Sequence, residues 1–235
     1  MTILRSDYHV HSTFSDDAVS TVAQNIAAAH SAGLTRLRLI DHVRVSTTWV
    51  PEFVAAVNAE RIPEGLTVLT GVEAKLLDAR GAVDVPPGLT GIDAIVIADH
   101  QFPGPDGPWS PSETRARLDA GLSASDALDL LISGLVNAMN SFENAQLAHC
   151  FSILPKVGLS ETDLSDEHLS AWASAAAASN TLIEVNEKWA CPSPRSLRAA
   201  VSAGATVVAS TDAHEASDVG VYSAVRTLAT EAGIE

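Results

Sequence analysis

The sequence predicts an α/β fold built on a parallel sheet, and three observations predict it. Seven short β-rich runs alternate with helical stretches along the 235 residues. No repeat, linker or low-complexity segment interrupts the alternation. Six of the eight histidines fall at or just past the ends of those runs. A parallel connection needs a crossover of a dozen or more residues, which a helix supplies, so the pattern argues for a parallel barrel or a doubly wound sheet.

The β-rich runs are 4–10, 36–40, 67–72, 94–98, 145–148, 182–185 and 206–209. Helices are expected between them. Residues 20–32 are rich in alanine and stop at Gly33, 51–59 open on Pro51, and 125–140 carry apolar residues at helical spacing. Residues 166–178 follow, then 194–203, closed by Gly204, and finally 217–232. The stretch 101–112, Q-F-P-G-P-D-G-P-W-S-P-S, holds four prolines and two glycines, which exclude regular structure. It follows a strand end, where a lid or substrate loop belongs; a rigid surface connection is the equal alternative.

Apolar residues make up 46% of the chain, with 14 glycines and 11 prolines, as in a globular protein, and the length suits one domain over 1–235. The net charge of −15 repels phosphate backbones and disfavours duplex nucleic acid as a partner. Bound divalent ions would reverse that sign locally, so a small phosphorylated substrate stays open. Cys150 and Cys191 alone do not make a disulfide scaffold. The opening M-T-I-L-R-S-D has no apolar leader and no run approaches a membrane span, so a cytoplasmic protein is expected. Oligomeric state has no signature here.

The histidines carry the functional reading. His30 and His168 lie in helical stretches and read as ordinary structural residues. His9, His11, His42, His100, His149 and His214 gather at one strand edge, together with Asp7, Asp41, Glu73, Asp99 and Asp212. So many acids and imidazoles in one place are costly without compensation, and divalent metal is the natural compensation. His9 and His11 are two apart on a strand and face the same side, and Asp212 and His214 repeat that spacing. Asp7 and Asp41 are read as orienting neighbouring histidines.

D-Y-H-V-H-S-T-F-S-D-D at 7–17 resembles the first motif of the polymerase and histidinol phosphatase (PHP) family. I-D-H at 40–42, G-V-E at 71–73, His100, A-H at 148–149 and S-T-D-A-H at 210–214 resemble its remaining motifs, in order, over nearly the whole chain. E-V-N-E-K-W-A-C-P-S-P-R at 184–195 is similar to the histidinol-phosphatase branch. The resemblance implies a distorted seven-stranded (β/α)7, TIM-like barrel with two or three divalent ions (Zn, Mn or Fe) at the C-terminal ends of its strands. It implies His9, His11, Glu73 and Asp212 on a first ion and Asp17, His42 and His214 on a second. Glu73 would bridge to a third, held also by His100 and His149. Asp17 stands where many members have histidine, with Asp16 as the alternative ligand; an oxygen ligand there is harder and favours manganese or iron.

Such a cluster suits hydrolysis of a phosphate ester, with hydroxide generated between the ions and charge neutralised on the phosphoryl oxygens. The expected enzyme is a phosphomonoesterase acting on a small metabolite of the histidinol phosphate kind. Glu73, Asp212 and His214 are its catalytic residues, with the leaving-group proton supplied by water reaching that oxygen or by an acid such as Asp212 or His214. Lys188 and Arg195 are the first candidates for a fixed cation on the substrate, followed by Arg44 and Lys75; Arg195 also sits at a helix N-terminus, which favours an anion. Phe102, Trp109 and Trp189 are candidates to contact the leaving group, and Cys191 reads as a spectator. Three alternatives stand beside this. One is a phosphodiesterase or exonuclease on nucleotides. Another is an amidohydrolase-type C–N hydrolase, which Lys75 keeps open as a bridging lysine. The third is a metal-stabilised module without activity, which the filled ligand positions disfavour.

Overall fold

A computed structural model describes residues 3–234. Met1 and Thr2, the start of the stretch read as leader-free, and Glu235 lie outside the described residues. After a short turn at Ile3–Arg5 the chain runs β1 (Ser6–Val10), α1 (Val22–Ser31), β2 (Arg36–His42), α2 (Val50–Ala59), β3 (Thr67–Lys75) and β4 (Ala94–Ala98). A two-residue hairpin follows, β5 (Phe102–Pro103) and β6 (Pro108–Trp109), then α3 (Pro111–Asp119) and α4 (Ala124–Met139). The remainder is β7 (Gln146–Ala148), α5 (Leu154–Val157), α6 (Asp166–Ala178), β8 (Leu182–Asn186), α7 (Pro194–Ser202), β9 (Val207–Ser210) and α8 (Ala224–Ala232).

The seven longer strands form one sheet in the order β1-β2-β3-β4-β7-β8-β9, every neighbouring pair parallel. The first and last strands meet at a parallel bridge between Val10 and Ala213, where the His11 N–H donates to the Ala213 carbonyl at 2.8 Å. The sheet therefore curls into a distorted seven-stranded barrel wrapped by helices. Below the bridge, side chains hold the seam. The Asp7 carboxylate accepts from the Thr211 hydroxyl at 2.6 Å and from the Thr211 and Gly220 N–H groups at 3.0 Å, and the Tyr222 hydroxyl donates to the Ser6 carbonyl.

Strand alternation explains the layering. On β2, Leu37 and Leu39 pack outward with Val22 and Ile26 of α1 and Phe53 of α2, while Ile40 packs inside with Val96, Ala98 and Ala148. On the opposite side Trp172 of α6, fully buried, lies against Phe151 and the leucines of α4. The barrel floor is polar. Arg38 Nη1 donates to Gln146 Oε1 at 2.5 Å, and Gln146 Nε2 donates to Glu184 Oε2 at 2.8 Å and to the Tyr8 carbonyl at 3.0 Å. A buried guanidinium and a buried carboxylate are tolerable there because that amide links them.

Three expectations need correction. Residues 101–112 are not wholly irregular: Phe102 pairs with Trp109 and Pro103 with Pro108, and Ser110 then caps α3 by accepting the Glu113 N–H. The prolines fit because so short a hairpin asks little of their missing donors. No helix spans 217–223: Ala216–Asp218 is a single tight turn, and α8 starts at Ala224, where Glu187 binds its first N–H groups. The 3₁₀ turn at Ile3–Arg5 takes the first two residues of the run 4–10 out of β1.

Candidate metal centre

The predicted strand-end residues converge at the C-terminal rim. β2 and β3 run on past 40 and 72, so His42 and Glu73 are register partners on adjacent strands. His9 and His11 approach with their Nε2 atoms 2.9 Å apart, and His11 Nε2 lies 3.3 Å from Asp212 Oδ1. Glu73 stands at the middle. Its Oε2 is 3.5 Å from the Nε2 of both His9 and His11 and 2.9 Å from His42 Nδ1, and its Oε1 is 3.2 Å from the Nε2 of both His100 and His149. Asp17 Oδ2 lies 3.3 Å from His214 Nε2 and 3.5 Å from His42 Nε2. Asp17, rather than Asp16, is thus brought to the histidines.

Most of these rings are anchored by one nitrogen and present the other. His9 Nδ1 is 2.9 Å from Glu184 Oε2, His11 Nδ1 3.2 Å from Ser15 Oγ, His149 Nδ1 3.2 Å from Ser152 Oγ and His214 Nδ1 2.8 Å from the Asp212 carbonyl. Their Nε2 atoms are left for the shared centre, the arrangement a cation requires of its imidazoles. The acids behind them are held in turn: Asp99 accepts from Ser152 at 2.9 Å through Oδ1, its Oδ2 being buried without a partner, and Asp41 accepts from Ser12 and Ser15 at 2.6 and 2.7 Å.

Electrostatics marks the same place. Burial alone would suppress charge on His9, but Glu184 and Glu73 outweigh it and hold its pKa well above the usual range. Burial dominates at His11 and draws it down to about 4. Glu73 is held well below the ordinary carboxylate range, against its burial, by His9 and His100. Its Oε2 is nonetheless buried with no hydrogen-bond partner. An unsatisfied carboxylate oxygen facing imidazole nitrogens fits a divalent cation, and three ligand groups could each hold one. These are His9, His11 and Asp212; His11, His42 and His214; and His42, Glu73 and His100.

The centre opens into a cavity of about 600 Å³ lined by Arg44, Lys75, Lys188 and Trp189 among others. Lys188 Nζ lies 3.6 Å from Asp212 Oδ2, and Trp189 Nε1 donates to the same oxygen at 2.9 Å. Arg195 does not reach this cavity. Its guanidinium is held by the Leu164 carbonyl at 2.8 Å and by Asp166 at 2.6 Å, and the N-terminus of α7 is already filled by Glu161, which accepts from Ser193 and Ser196. Phe102 is fully buried and Trp109 stacks on it beneath Arg117, so neither reaches the rim. Asp7 and Asp41 touch no imidazole. Asp7 ties the seam, and Asp41 acts through Ser15, whose hydroxyl also meets His11 and the His42 N–H. Cys191 is buried behind the site. His30 sits in α1 and His168 in α6, the latter 2.9 Å from Asp129. Sequence reasoning missed Glu184, although an acid inside the apolar run L-I-E-V-N was a signal, since a parallel strand is buried on both faces.

A curled parallel sheet with histidines and carboxylates converging at the C-terminal rim defines a barrel protein with a candidate metal centre. The chain belongs to the PHP domain family, whose description matches residues 7–188. It is 23% identical over 245 residues to a probable phosphatase of Vibrio atlanticus, covering 99% of this chain and 87% of that one. A probable phosphatase of Vibrio parahaemolyticus is 28% identical over 144 residues, covering 59% of this chain and about half, 52%, of the relative. Among solved structures, histidinol phosphate phosphatase of Lactococcus lactis, complexed with zinc, L-histidinol and phosphate, has the same fold. The TM-score is 0.69 at 17% identity, over 98% of this chain and 94% of that one.

Proposed function

We propose that this chain is a phosphomonoesterase acting on a small phosphorylated metabolite in the size class of histidinol phosphate. Nine side chains gathered at the ends of several strands would hold two or three divalent ions (Zn, Mn or Fe): His9, His11, Asp17, His42, Glu73, His100, His149, Asp212 and His214. The observation that supports this best is Glu73, whose buried carboxylate faces five imidazoles with one oxygen lacking any hydrogen-bond partner. When bound, such ions supply Lewis acidity that activates water and neutralises phosphoryl charge.

The protein's own groups do the rest. Glu184, Ser15 and Ser152 fix the ring orientations of His9, His11 and His149. Lys188 stands beside Asp212 in the cavity lining, where a phosphoryl oxygen would be received, and Arg44 is a further cation in the same lining. Water reaching the leaving oxygen supplies the proton of the departing alkoxide, and Trp189 keeps Asp212 turned inward through its indole N–H. About 600 Å³ of space suits a small ester better than a polymer.

The test is elemental analysis of the purified protein with a panel of phosphomonoesters, phosphodiesters and amides, including histidinol phosphate. A metal-to-protein ratio of two or three with phosphate release from monoesters is the expected result. Metal-free protein, or release only from diesters or amides, contradicts the proposal.

A further inference from the structure

Two adjacent strands each carry a centre residue and, two positions further out, a cation. His42 and Glu73 are register partners on β2 and β3, and the Val43 N–H donates to the Glu73 carbonyl at 2.9 Å, so pairing continues to the strand ends. The two-residue period keeps Lys75 on the side of the sheet that Glu73 faces, roughly 7 Å further out along the strand. Arg44 follows His42 two positions on, in the loop just past the end of β2. Its loop is fixed by the Arg44 N–H on Thr47 Oγ1 at 2.9 Å and the Val45 N–H on Asp84 Oδ1 at 2.7 Å. Both cations line the cavity that holds the centre.

Among the described residues neither Arg44 nor Lys75 makes an ion pair, whereas Lys188 faces Asp212 and Arg195 faces Asp166. In a chain with 29 acids and only 14 Lys and Arg, two cations from adjacent strand ends in the lining of one cavity, Arg44 exposed and Lys75 half-buried, are available to receive an anion together. Of the carboxylates lining that cavity, Asp17, Glu73 and Asp212 already face imidazoles, leaving Asp16 on the β1 side. The cavity also presents the rings of Phe14 and Trp49, 5.4 Å apart, as an apolar surface for a short carbon skeleton.

We infer that the substrate carries a second anionic group on its leaving side, received by Arg44 and Lys75 while the reacting phosphate lies at the centre beside Lys188. The substrate class is then an acidic phosphate ester, a phospho-carboxylate or a bisphosphate, rather than a neutral or cationic alcohol phosphate. The inference rests on the phosphatase reading for the word substrate, but the anion subsite itself can be tested by binding alone.

Metal-loaded protein would be titrated calorimetrically with three ligands that cannot be hydrolysed: 3-phosphonopropionate, 1,3-propanediphosphonate and propylphosphonate. The two carrying a second anion are expected to bind about tenfold tighter than propylphosphonate, from two partly exposed ion pairs. Which of the two binds tighter distinguishes a carboxylate from a phosphate as the natural group. In the double variant Arg44→Gln, Lys75→Gln the preference falls to within about twofold, well inside what one lost ion pair changes. In Lys75→Glu it reverses. Equal binding of all three ligands by the unaltered protein, or a preference that survives the double substitution, overturns the inference. If the preference holds but no monoester in the panel is hydrolysed, the phosphatase reading fails and the anion subsite stands.

Discussion

Glu184 shows how much of a site can rest on one buried acid. It accepts from Gln146 and Asn186, stands 2.9 Å from His9 Nδ1, and so sets which nitrogen of His9 faces the centre. Replacing it with alanine should weaken metal binding about 10- to 100-fold, as loss of such supporting partners does. Competition against a chromophoric chelator measures this, and Glu184→Gln, which keeps an acceptor, should recover part of the loss. Unchanged affinity in the alanine variant would remove Glu184 from the account. The histidines, Glu73 and Asp212 were legible because they stand where apolar runs end, and a strand end in a parallel barrel opens onto one rim. Glu184 was not, because it hides within its run. Arg195 was misread for the opposite reason. Its place near a strand end was visible, but the competing claims of Asp166 and Leu164 come from residues about thirty positions away, beyond any local pattern.

At the scale of elements, the strands were legible as apolar segments and the ends of several helices were displaced by tertiary partners. α8 begins where Glu187, at the end of β8, accepts the N–H groups of Ser223, Ala224 and Val225 at 2.9–3.0 Å. Such a cap borrowed from another element leaves no trace beside the helix it serves. Glu187→Ala should cost about 1–2 kcal/mol, within the range for a lost cap near a helix dipole, and lower the denaturation midpoint without changing bound metal. By contrast, S-P-S-E before α3 was a readable start, with Ser110 as cap and Pro111 in the first turn, masked by the prolines before it. The turn after β3 presses on α4: Gly81 has φ of +86°, and a Cβ there would lie 2.4 Å from the Ala138 nitrogen. Gly81→Ala should therefore destabilise by at least about 1–3 kcal/mol from backbone strain, with the steric overlap added. Thermal melting of the variant checks it, and a neutral result would mean the loop relaxes freely.

For the molecule as a whole, the candidate ligands come from both sides of the barrel seam, so metal held there would be linked to the fold. Removing the ions with a chelator should lower the melting temperature by about 5–10 °C, the shift given by a ligand at one hundred times its dissociation constant in a chain of this size. A scan with and without chelator, followed by metal addition, reads it directly; an unchanged midpoint would mean the site contributes nothing to the fold. The net charge of −15 predicts further that moderate monovalent salt stabilises the metal-free form more than the loaded one, because the ions offset part of the acidic excess at the rim. Wrapping of the sheet into a barrel was not separable from a doubly wound alternative by strand count alone. The contact that decides it joins residues 10 and 213.

That contact also sets an order of events during biosynthesis. His9 and His11 leave the ribosome early, while Asp212 and His214 are some two hundred codons behind them. Until β9 docks on β1, His9 and His11 lack Asp212 as a neighbour, so a cation held there would have fewer donors than in the closed barrel. Closure of the seam, rather than the formation of β1, is therefore the event that would complete the set of donors around His11.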